Sequence, residues 1–364
     1  WNRVPLIDYI ELIGGGTPKT TVPEYWNGNI PWLSVKDFNN DKRYVYSTEK
    51  HISQSGFENS PTKMLHKDDI IISARGTVGE IAMIPFDMAF NQSCYGIRAS
   101  RGIDQPFLYY LLKNCISQLK RMTHGSVFDT ITRDTFANIE VDIPDAETQK
   151  RISSVLADID NKIEVNDAIN DNLQQQAQAI YSSMFIDNPD PAWTHGHLSD
   201  LITVKYGKDH KKLADGIYPV YGSGGIMRHV ERPLYNKESV LIPRKGTLNN
   251  VIYVNQPFWS VDTMFYTEMK LPNVAKFVYH FVKAKDLASM NAGSAVPSMT
   301  TDILNAMEVV IPSASALEEF ESLVAPMYEA MKANDVQSQA LSKMRDALLP
   351  KLMSGEIDVS AVRL

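Results

Sequence analysis

The sequence predicts an α+β protein in which two globular α+β domains are separated by two long α-helices that pair as an antiparallel coiled coil. The first observation behind this prediction is an internal repeat, because Trp1 and Asp8 recur as Trp193 and Asp200 at an offset of 192 residues. The second is that each repeat ends in a long segment with a core-type residue every three or four positions. A repeat unit of this length indicates two related domains rather than a solenoid, so we expect pseudo-twofold symmetry.

The repeat continues along the chain in two further registers. Gly76 aligns with Gly246 at an offset of 170 residues, and from Ser126, which aligns with Ser294, the offset is 168. The repeat therefore predicts five segments. They are residues 1–144 (first globular domain), 145–187 (first helical region), 188–312 (second globular domain), 313–355 (second helical region) and 356–364 (C-terminal tail).

The globular domains show short apolar runs bounded by Gly and Pro, which are typical of β-strands. Examples are residues 69–73 and 239–242. A helix is predicted to begin near Pro106 in the first domain and near Asn273 in the second. Each domain then closes with a strand that ends in Ile-Pro. Because strands and helices do not alternate as βαβ units, the pattern indicates an α+β class.

The helical regions carry helix-start signals and a regular apolar seam. Asp145 or Thr148 can cap the first helix, and Ser315 with Glu318 forms a capping-box pattern for the second. Steps of four and three residues favour a left-handed coiled-coil partner. The predicted helix-pairing residues are Ile152, Leu156, Ile159, Ile163, Asn166, Leu173 and Ile180 in the first helix, and Phe320, Val324, Met327, Met331, Asn334, Leu341 and Leu348 in the second.

The seam spans roughly 50 Å at about 1.5 Å per residue. Its polar interruptions, Asn166 with Asn170 and Asn334 with Ser338, lie at the midpoint of each seam. Helices with matched ends would therefore bury polar side chains against polar ones, which fixes the register. Chain connectivity favours the antiparallel direction, because the first helix then delivers the chain to the far end, where the second globular domain begins.

The charge distribution is uneven. The formal net charge is −7, which by itself gives no support to a nucleic-acid partner. Residues 1–144 carry −1, residues 145–192 carry −6, residues 193–312 carry +3 and residues 313–364 carry −3. Because most of the negative charge lies in the helical segments, the globular halves can still present a local basic face to phosphate.

The lack of targeting signals and the cysteine pattern indicate where in the cell the protein is located. No apolar run approaches the length of a membrane span, and no signal peptide opens the chain. The two cysteines, Cys94 and Cys115, form no CxxC pair and are expected to be small core side chains. An intracellular, reduced protein is the simplest interpretation.

The sequence offers little of the chemistry that an enzyme needs. A stand-alone methyltransferase should carry an Asn/Asp-Pro-Pro-aromatic motif, but residues 188–191 (NPDP) lack the aromatic and are typical of a linker turn. The glycines at 222–225 do not complete a GxGxxG motif and predict a tight turn. His195 and His197 have no third ligand nearby, so we predict neither a metal site nor catalytic residues.

The helical regions also carry the most distinctive sequence of the chain. Residues 151–166 (RISSVLADIDNKIEVN) and 173–185 (LQQQAQAIYSSMF) resemble the central conserved region of type I restriction–modification specificity subunits. Residues 348–357 (LLPKLMSGEI) resemble its C-terminal counterpart. The runs GGGTPK at 14–19 and YPVYGSGG at 218–225 are similar to two classes of target recognition domain in that family.

This resemblance implies a non-catalytic DNA-reading subunit of a methyltransferase and endonuclease complex. Each target recognition domain would read one half of a bipartite, asymmetric site in double-stranded DNA, and the helix pair would set the gap and dock the modification subunits. Two modification subunits would bind S-adenosylmethionine, and restriction subunits would hydrolyse ATP with Mg²⁺. No cofactor is then expected in this chain, and its location would be the cytoplasm of a prokaryote.

Specific DNA contacts need polar or basic side chains at base edges, with further basic or backbone groups on phosphates. Two loops that recur in both repeats, together with unshared basic clusters, supply such groups. The candidate DNA-binding residues are Lys19, Lys36, Arg43, Arg75, Thr77, His124 and Ser126 in the first domain, and Lys208, His210, Lys211, Arg244, Lys245, Thr247, Asn249 and Ser294 in the second. Solvated surface charge is the alternative for each lysine.

Two other classes of function remain open at this point. One is an assembly scaffold whose coiled coil binds protein while its globular domains never touch bases. The other is a self-contained DNA-modifying enzyme, which the missing motifs disfavour. Substituting the recurring basic residues separates a DNA reader from a scaffold, because only the reader should lose DNA affinity.

Overall fold

The computed structural model describes residues 1–123, 130–290 and 298–359. The chain forms two compact units, one made of Trp1–Asn166 with Asp335–Leu364 and the other of Asp167–Asn334. Each unit therefore combines one globular domain with a part of both long helices. Within the described ranges, no helix is both long enough and apolar enough to cross a membrane.

The first unit contains an antiparallel sheet, a mixed sheet and a two-stranded ribbon. Its strands are β1 (Asn2–Pro5), β2 (Ile10–Gly14), β3 (Trp26–Leu33), β4 (Lys50–Ile52), β5 (Met64–Leu65), β6 (Ile70–Ser73), β7 (Ile81–Met83), β8 (Met88–Phe90), β9 (Cys94–Ala99) and β10 (Glu140–Ile143). Its helices are α1 (Val35–Phe38), α2 (Gln54–Glu58), α3 (Gln105–Thr123), α4 (Arg133–Ala137), the first part of α5 (Ala146–Ser182) and the last part of α9 (Ala314–Met353). The antiparallel sheet has the order β2-β9-β6-β7, the mixed sheet has the order β4-β3-β8-β5, and β1 pairs with β10.

The second unit repeats this plan with fewer additions. Its strands are β11 (Thr194–His197), β12 (Ile202–Tyr206), β13 (Asp215–Gly222), β14 (Gly225–Val230), β15 (Ser239–Pro243), β16 (Ile252–Val254), β17 (Trp259–Ser260), β18 (Met264–Met269) and β19 (Glu308–Ile311). Its helices are the last part of α5, α6 (Leu198–Leu201), α7 (Ala275–Lys283), α8 (Thr301–Asn305) and the first part of α9 (Ala314–Met353). The order β12-β18-β15-β16 matches that of the first antiparallel sheet, and β11 pairs with β19.

The predicted α+β class and internal repeat are confirmed. The helices predicted near Pro106 and Asn273 are α3 and α7, and the closing strands are β10 and β19. The larger first domain uses its additional residues between β3 and β6, where it forms α1, α2 and β5. The second domain has the tight β13–β14 hairpin there instead. The short helices have no apolar repeat long enough to reveal them in the sequence.

The start of α5 follows the prediction, whereas the start of α9 does not. Asp145 caps α5 through its Oδ1, which accepts the N–H of Thr148 at 2.9 Å. The capping box predicted at Ser315 is wrong, because α9 begins at Ala314 and the Oγ of Ser313 accepts the N–H of Ala316 at 3.3 Å. Ser313 provides the same kind of capping hydroxyl two residues earlier. The helix therefore gains backbone hydrogen bonds by starting there.

In the first unit, the two long helices run antiparallel. Asn166 donates from Nδ2 to the Oγ of Ser338 at 3.1 Å, and Arg345 donates from Nη1 to the Oδ1 of Asp160 at 2.9 Å. Nearer the start of α5, Ile152 belongs to the same apolar cluster as the late α9 residues. Residue numbers therefore rise along α5 while those of its partners fall along α9, which confirms the predicted direction.

The second unit shows the same direction of pairing. Asn334 donates from Nδ2 to the Oδ1 of Asn170 at 2.8 Å, so polar side chains face each other. Further along α5, the Tyr181 ring lies 6.1 Å from that of Phe320, near the start of α9. Such side-chain pairs disfavour a shift in register, because any shift would bury the amides against apolar partners.

Burial along the seam is greatest where a globular domain also packs on the helices. The buried members of the predicted helix-pairing set are Ile152, Leu156, Asn166, Phe320 and Val324. The half-buried members are Ile159, Ile163, Leu173, Ile180, Met327, Met331, Asn334, Leu341 and Leu348. The globular domains thus bury seam residues that the second helix alone would leave partly exposed.

A charged layer interrupts the core of the first unit between α3, α5 and α9. Arg345 and Asp160 each keep only 4 % of their side-chain surface exposed. The hydroxyl of Tyr110 donates to the Oδ2 of Asp160 at 2.7 Å, and Arg345 also donates from Nη2 to the Oδ2 of Asp41 at 3.1 Å. The layer therefore joins both helices to the globular domain.

The two cysteines are buried, as predicted. Burial raises the pKa of the Cys94 thiol and of the Cys115 thiol to about 12. Both thiols therefore stay protonated at neutral pH and behave as small core groups.

Candidate nucleic-acid interface

In the first unit, three loops meet at one edge of the β2-β9-β6-β7 sheet. Strand β2 ends with Gly14 opposite Tyr95, and β6 ends with Ser73 opposite Cys94. Because these strands are antiparallel to β9, the loops after β2 and β6 lie beside the loop before β9. We call residues 15–19, 74–80 and 91–93 the first loop edge.

The second unit builds the same edge from its own sheet. Strand β12 ends with Tyr206 opposite Phe265, and β15 ends with Pro243 opposite Met264. We call residues 207–211, 244–251 and 261–263 the second loop edge.

A shared carbonyl holds the loop after β6 in the first edge. The N–H groups of Ala74 and Arg75 both donate to the Ser93 carbonyl, at 2.8 Å and 3.2 Å. The carbonyl of Ala74 in turn accepts the N–H of Ile131 at 3.0 Å. The side chain of Arg75 thus projects from a backbone position that two neighbouring segments fix.

The second edge repeats these hydrogen bonds. The N–H groups of Arg244 and Lys245 both donate to the Thr263 carbonyl, at 2.8 Å and 3.2 Å, and the carbonyl of Arg244 accepts the N–H of Met299 at 2.9 Å. Lys245, rather than Arg244, is therefore the structural counterpart of Arg75. The repeat offset of 170 residues aligns the same two positions.

Both loops then turn at a glycine in the left-handed region. Gly76 has a φ of 77° and Gly246 a φ of 87°, values that favour glycine over any residue with a Cβ. The turn leaves Thr77 and Thr247 exposed. Each edge therefore presents a cation, a glycine and a hydroxyl side by side.

A second glycine pair holds the loop after the first sheet strand close to its neighbour. A Cβ at Gly15 would lie 2.1 Å from the carbonyl oxygen of Asn91, and one at Gly207 would lie 2.0 Å from that of Val261. Neither distance allows a side chain, so both loops need glycine at this position.

We expect Gly15→Ala to lower the free energy of unfolding by about 1–3 kcal/mol, because the methyl group would push the backbone at Asn91 aside. Gly14→Ala is the matched control, since a Cβ there meets nothing within 4 Å. Urea denaturation of both variants measures the difference. Equal losses at the two positions would contradict this account of the loop.

Most of the candidate DNA-binding residues are exposed on or beside these edges. They are Lys19, Arg75, Thr77 and Lys36 in the first unit, and Lys208, Lys211, Lys245 and Thr247 in the second. Lys36 lies on α1, just after Leu33, whose carbonyl accepts the N–H of Asn91 at 3.0 Å. Arg244 is half-buried, with its guanidinium carbon 5.3 Å from the ring centroid of Tyr206.

The structure corrects the assignment of Arg43. Its Nε donates to the Oε1 of Glu164 at 3.1 Å, its Nη2 also donates to Asn161, and only 9 % of its side chain is exposed. Both partners lie on α5. Arg43 therefore fastens the globular domain to the long helix and offers no free face to phosphate, a role that sequence alone cannot separate from surface charge.

Two other candidates are engaged inside the second unit. Asn249 accepts the N–H of Ala288 at 3.0 Å and donates from Nδ2 to Asp286 at 3.1 Å, so its amide ties the loop to the segment after α7. His210 is half-buried, and among the described residues its buried Nδ1 has no hydrogen-bond partner. His124, Ser126 and Ser294 lie outside the described residues, and their role stays a prediction.

The structure adds residues to the edges that the sequence did not single out. The hydroxyl of Thr17 donates to the side-chain oxygen of Gln92, which joins two loops of the first edge. In the second edge, Asn250 donates from Nδ2 to the Ser223 carbonyl at 2.8 Å, so the β13–β14 turn lies against the loop after β15. The repeat offset could have indicated Gln92 through its counterpart Asp262, but nothing in the sequence places Ser223 there.

The edges suit binding to a polyanion. They combine exposed cations and hydroxyls with glycines that let a backbone come close, which are the groups that proteins use on phosphates and base edges. In residues 1–123, 130–290 and 298–359, no group of three or more His, Cys, Asp or Glu side chains is arranged to hold a metal ion.

Comparisons with known proteins identify the repeat. The type I restriction modification DNA specificity domain matches the chain twice, over residues 1–175 and 192–319. The chain is 26 % identical to the MjaIX type I restriction enzyme specificity subunit of Methanocaldococcus jannaschii, over 99 % of this chain and 94 % of that protein. It is 22 % identical to the EcoprrI specificity subunit of Escherichia coli, over 90 % of both proteins.

A solved structure shares the fold. The crystal structure of the type I restriction–modification S subunit from M. genitalium superposes with a TM-score of 0.57 at 17 % identity, covering 97 % of this chain and 96 % of that one. At this level of identity the likeness concerns the fold alone.

Proposed function

Because the chain belongs to the family of type I restriction–modification DNA specificity domains, we propose that its two loop edges each read one half of a bipartite DNA site. Membership of the family makes it a non-catalytic DNA-recognition subunit. The observation that carries the proposal is the pair of loop edges, which share one hydrogen-bonding scheme and both expose cations and hydroxyls.

The two edges differ in the side chains that would meet the bases. Arg75 in the first edge corresponds to Lys245 in the second, and Gln92 corresponds to Asp262 at the same offset of 170. The guanidinium of Arg75 can make two parallel hydrogen bonds to guanine, whereas the ammonium of Lys245 acts as a point donor. The amide of Gln92 and the carboxylate of Asp262 prefer different bases. The two half-sites should therefore differ, which makes the whole site asymmetric.

The long helices supply a surface for protein partners in this proposal. On α5 and α9, large apolar side chains have between 42 % and 61 % of their surface exposed, namely Val165, Ile169, Leu323, Val336 and Met344. Exposed apolar groups of this kind favour protein contacts where they are contiguous. Two modification subunits that bind S-adenosylmethionine would dock there, and restriction subunits that use ATP and Mg²⁺ would join them. The chain itself would hold no cofactor and would act in the cytoplasm of a prokaryote.

The test is adenine-methylation sequencing of DNA from cells that express this chain with its modification partner. We expect a bipartite motif with an undefined gap. Arg75→Ala should relax one half of the motif and Lys245→Ala the other, with binding weakened by about 1–3 kcal/mol for each lost base contact. Binding to the mapped duplex should also weaken steeply as salt rises.

Matched controls come from the opposite ends of β9 and β18. Arg101 and Lys270 are exposed cations at those ends, so Arg101→Ala and Lys270→Ala should leave the motif unchanged. A continuous palindrome in the wild-type data would contradict the proposal. Retention of the full motif by Arg75→Ala and Lys245→Ala together would instead indicate a scaffold whose edges do not read bases.

A further inference from the structure

The β13–β14 hairpin of the second unit carries an exposed apolar side chain on a β-bulge. Val220 pairs with Arg228 and Tyr221 pairs with Ile226, so Met227 is the additional residue between two successive pairs. Its side chain is 61 % exposed. Bulges redirect a side chain out of the regular alternation of a strand, and they are common beside functional sites.

The bulge aims Met227 at the second loop edge. A Cβ built on Gly222 would lie 2.6 Å from the Met227 Sδ and 3.7 Å from the Val261 Cγ2, so the thioether lies over the glycine and near Val261, the first residue of the loop 261–263. That loop also holds Lys245, through the Thr263 carbonyl. Met227 and the exposed cation thus flank the same loop.

The hairpin turn itself touches the loop that carries Lys245. A Cβ on Gly246 would lie 2.7 Å from the Oγ of Ser223, next to the hydrogen bond between Asn250 and the Ser223 carbonyl. The tip of the hairpin is therefore held in place on the edge, which lets it present a side chain in a defined position.

A thioether offers no useful hydrogen bond, so Met227 needs an apolar partner on the DNA. In the major groove, the apolar group on a base edge is the C5-methyl of thymine, and the other groups that distinguish the pairs there are donors and acceptors. We propose that Met227 contacts the methyl group of a thymine in the half-site read by the second domain, and so determines specificity there. This rests on the proposed DNA-reading function.

In the first unit, the described residues 34–49 form a longer connection at the corresponding place instead of a tight hairpin. Strand β3 leads into α1 and reaches β4 only at Lys50, where the strand is preceded by Glu49 rather than by an apolar residue. The effect of changing Met227 should consequently be confined to one half of the site.

The test uses the full chain with its modification partner and a duplex carrying the motif mapped by methylation sequencing. Each thymine of the second half-site is replaced in turn by deoxyuridine, which removes only the methyl group. One replacement should weaken wild-type binding roughly three- to tenfold, the scale of one buried methyl group or slightly more. Met227→Ala should lose a similar factor on the thymine duplex and should no longer respond to that replacement.

Two further variants separate this contact from general damage to the hairpin. Met227→Leu keeps an apolar side chain and should bind within about twofold of wild type. Ile217→Ala removes another exposed apolar side chain, 79 % exposed, from the far end of β13, roughly 17 Å from the turn at about 3.3 Å per residue. It should leave binding unchanged.

The outcomes are distinct. Unchanged affinity of Met227→Ala, or loss of affinity that persists equally on thymine and deoxyuridine duplexes, would overturn the methyl contact while leaving the two-edge proposal intact. A wild-type chain that does not distinguish the mapped duplex from a scrambled one would overturn both.

Discussion

Replacing Arg345 by alanine should lower the free energy of unfolding by about 3–5 kcal/mol, because it leaves the buried Asp160 carboxylate without its cation. The two side chains are 2.9 Å apart and each is only 4 % exposed, so water cannot take the place of the guanidinium. The hydroxyl of Tyr110 would remain as a partner, but one neutral donor does not balance a buried charge. Urea or thermal denaturation of the full chain gives the measurement.

The double variant Arg345→Met with Asp160→Leu is the informative partner of that experiment. It removes both charges at similar volume, so most of the lost stability should return. Arg151→Ala serves as the control for an exposed pair, since Arg151 and Glu147 are 48 % and 75 % exposed, and should cost less than about 1 kcal/mol. A loss below about 1 kcal/mol for Arg345→Ala would show that the layer does not stabilise the fold as argued.

Acid should destabilise the second unit through His280. This side chain is fully buried, its Nε2 lies 2.9 Å from the Tyr328 hydroxyl, and its Nδ1 lies 2.8 Å from the Oε1 of Gln178. Burial lowers the pKa of His280 to about 4, from an unfolded value of 6.5. Between pH 6.5 and pH 4 this histidine binds a proton in the unfolded chain but not in the folded one. The free energy of unfolding therefore falls by about 3 kcal/mol as the pH falls from 6.5 towards 4.

The matching variant is His280→Gln, which keeps a polar group but cannot titrate. Its free energy of unfolding should change less than that of wild type between pH 7.5 and 4, while carboxylates contribute equally to both proteins. His66→Gln, at an exposed histidine outside this buried cluster, is the control for the substitution itself. Parallel profiles for wild type and His280→Gln would mean that His280 does not set the acid response.

Much of the fold could be predicted because the chain contains an internal repeat. The repeat offsets placed Gly76 over Gly246, and the structure puts both glycines in the same left-handed turn. The seam predicted two long helices, and their direction followed from how the chain must connect. A duplicated pattern supplies an internal comparison that a single domain lacks, so positions shared by both repeats stand out.

The remainder depends on contacts between distant segments. Arg43 looked like any surface cation, yet its partners Asn161 and Glu164 lie more than a hundred residues away. The bulge at Met227 requires the pairing register of two strands, which no local pattern encodes. Arg345 falls in the three- and four-residue register of the second seam and Asp160 lies beside a seam position of the first, but no local pattern shows that these two side chains pair. Sequence periodicity describes one element at a time, and these features arise only when elements meet.

The charged layer makes the halves of the duplicated chain unequal partners. At the offset of 168 residues, Arg345 corresponds to Ala177 and Asp160 to Tyr328. If two first halves paired with each other, each Asp160 would face the methyl group of Ala177. If two second halves paired, each Arg345 would lie beside Tyr328. A buried charge without a partner would destabilise either of these homotypic pairs. These buried positions therefore favour pairing of the two different helical regions over pairing of two identical ones.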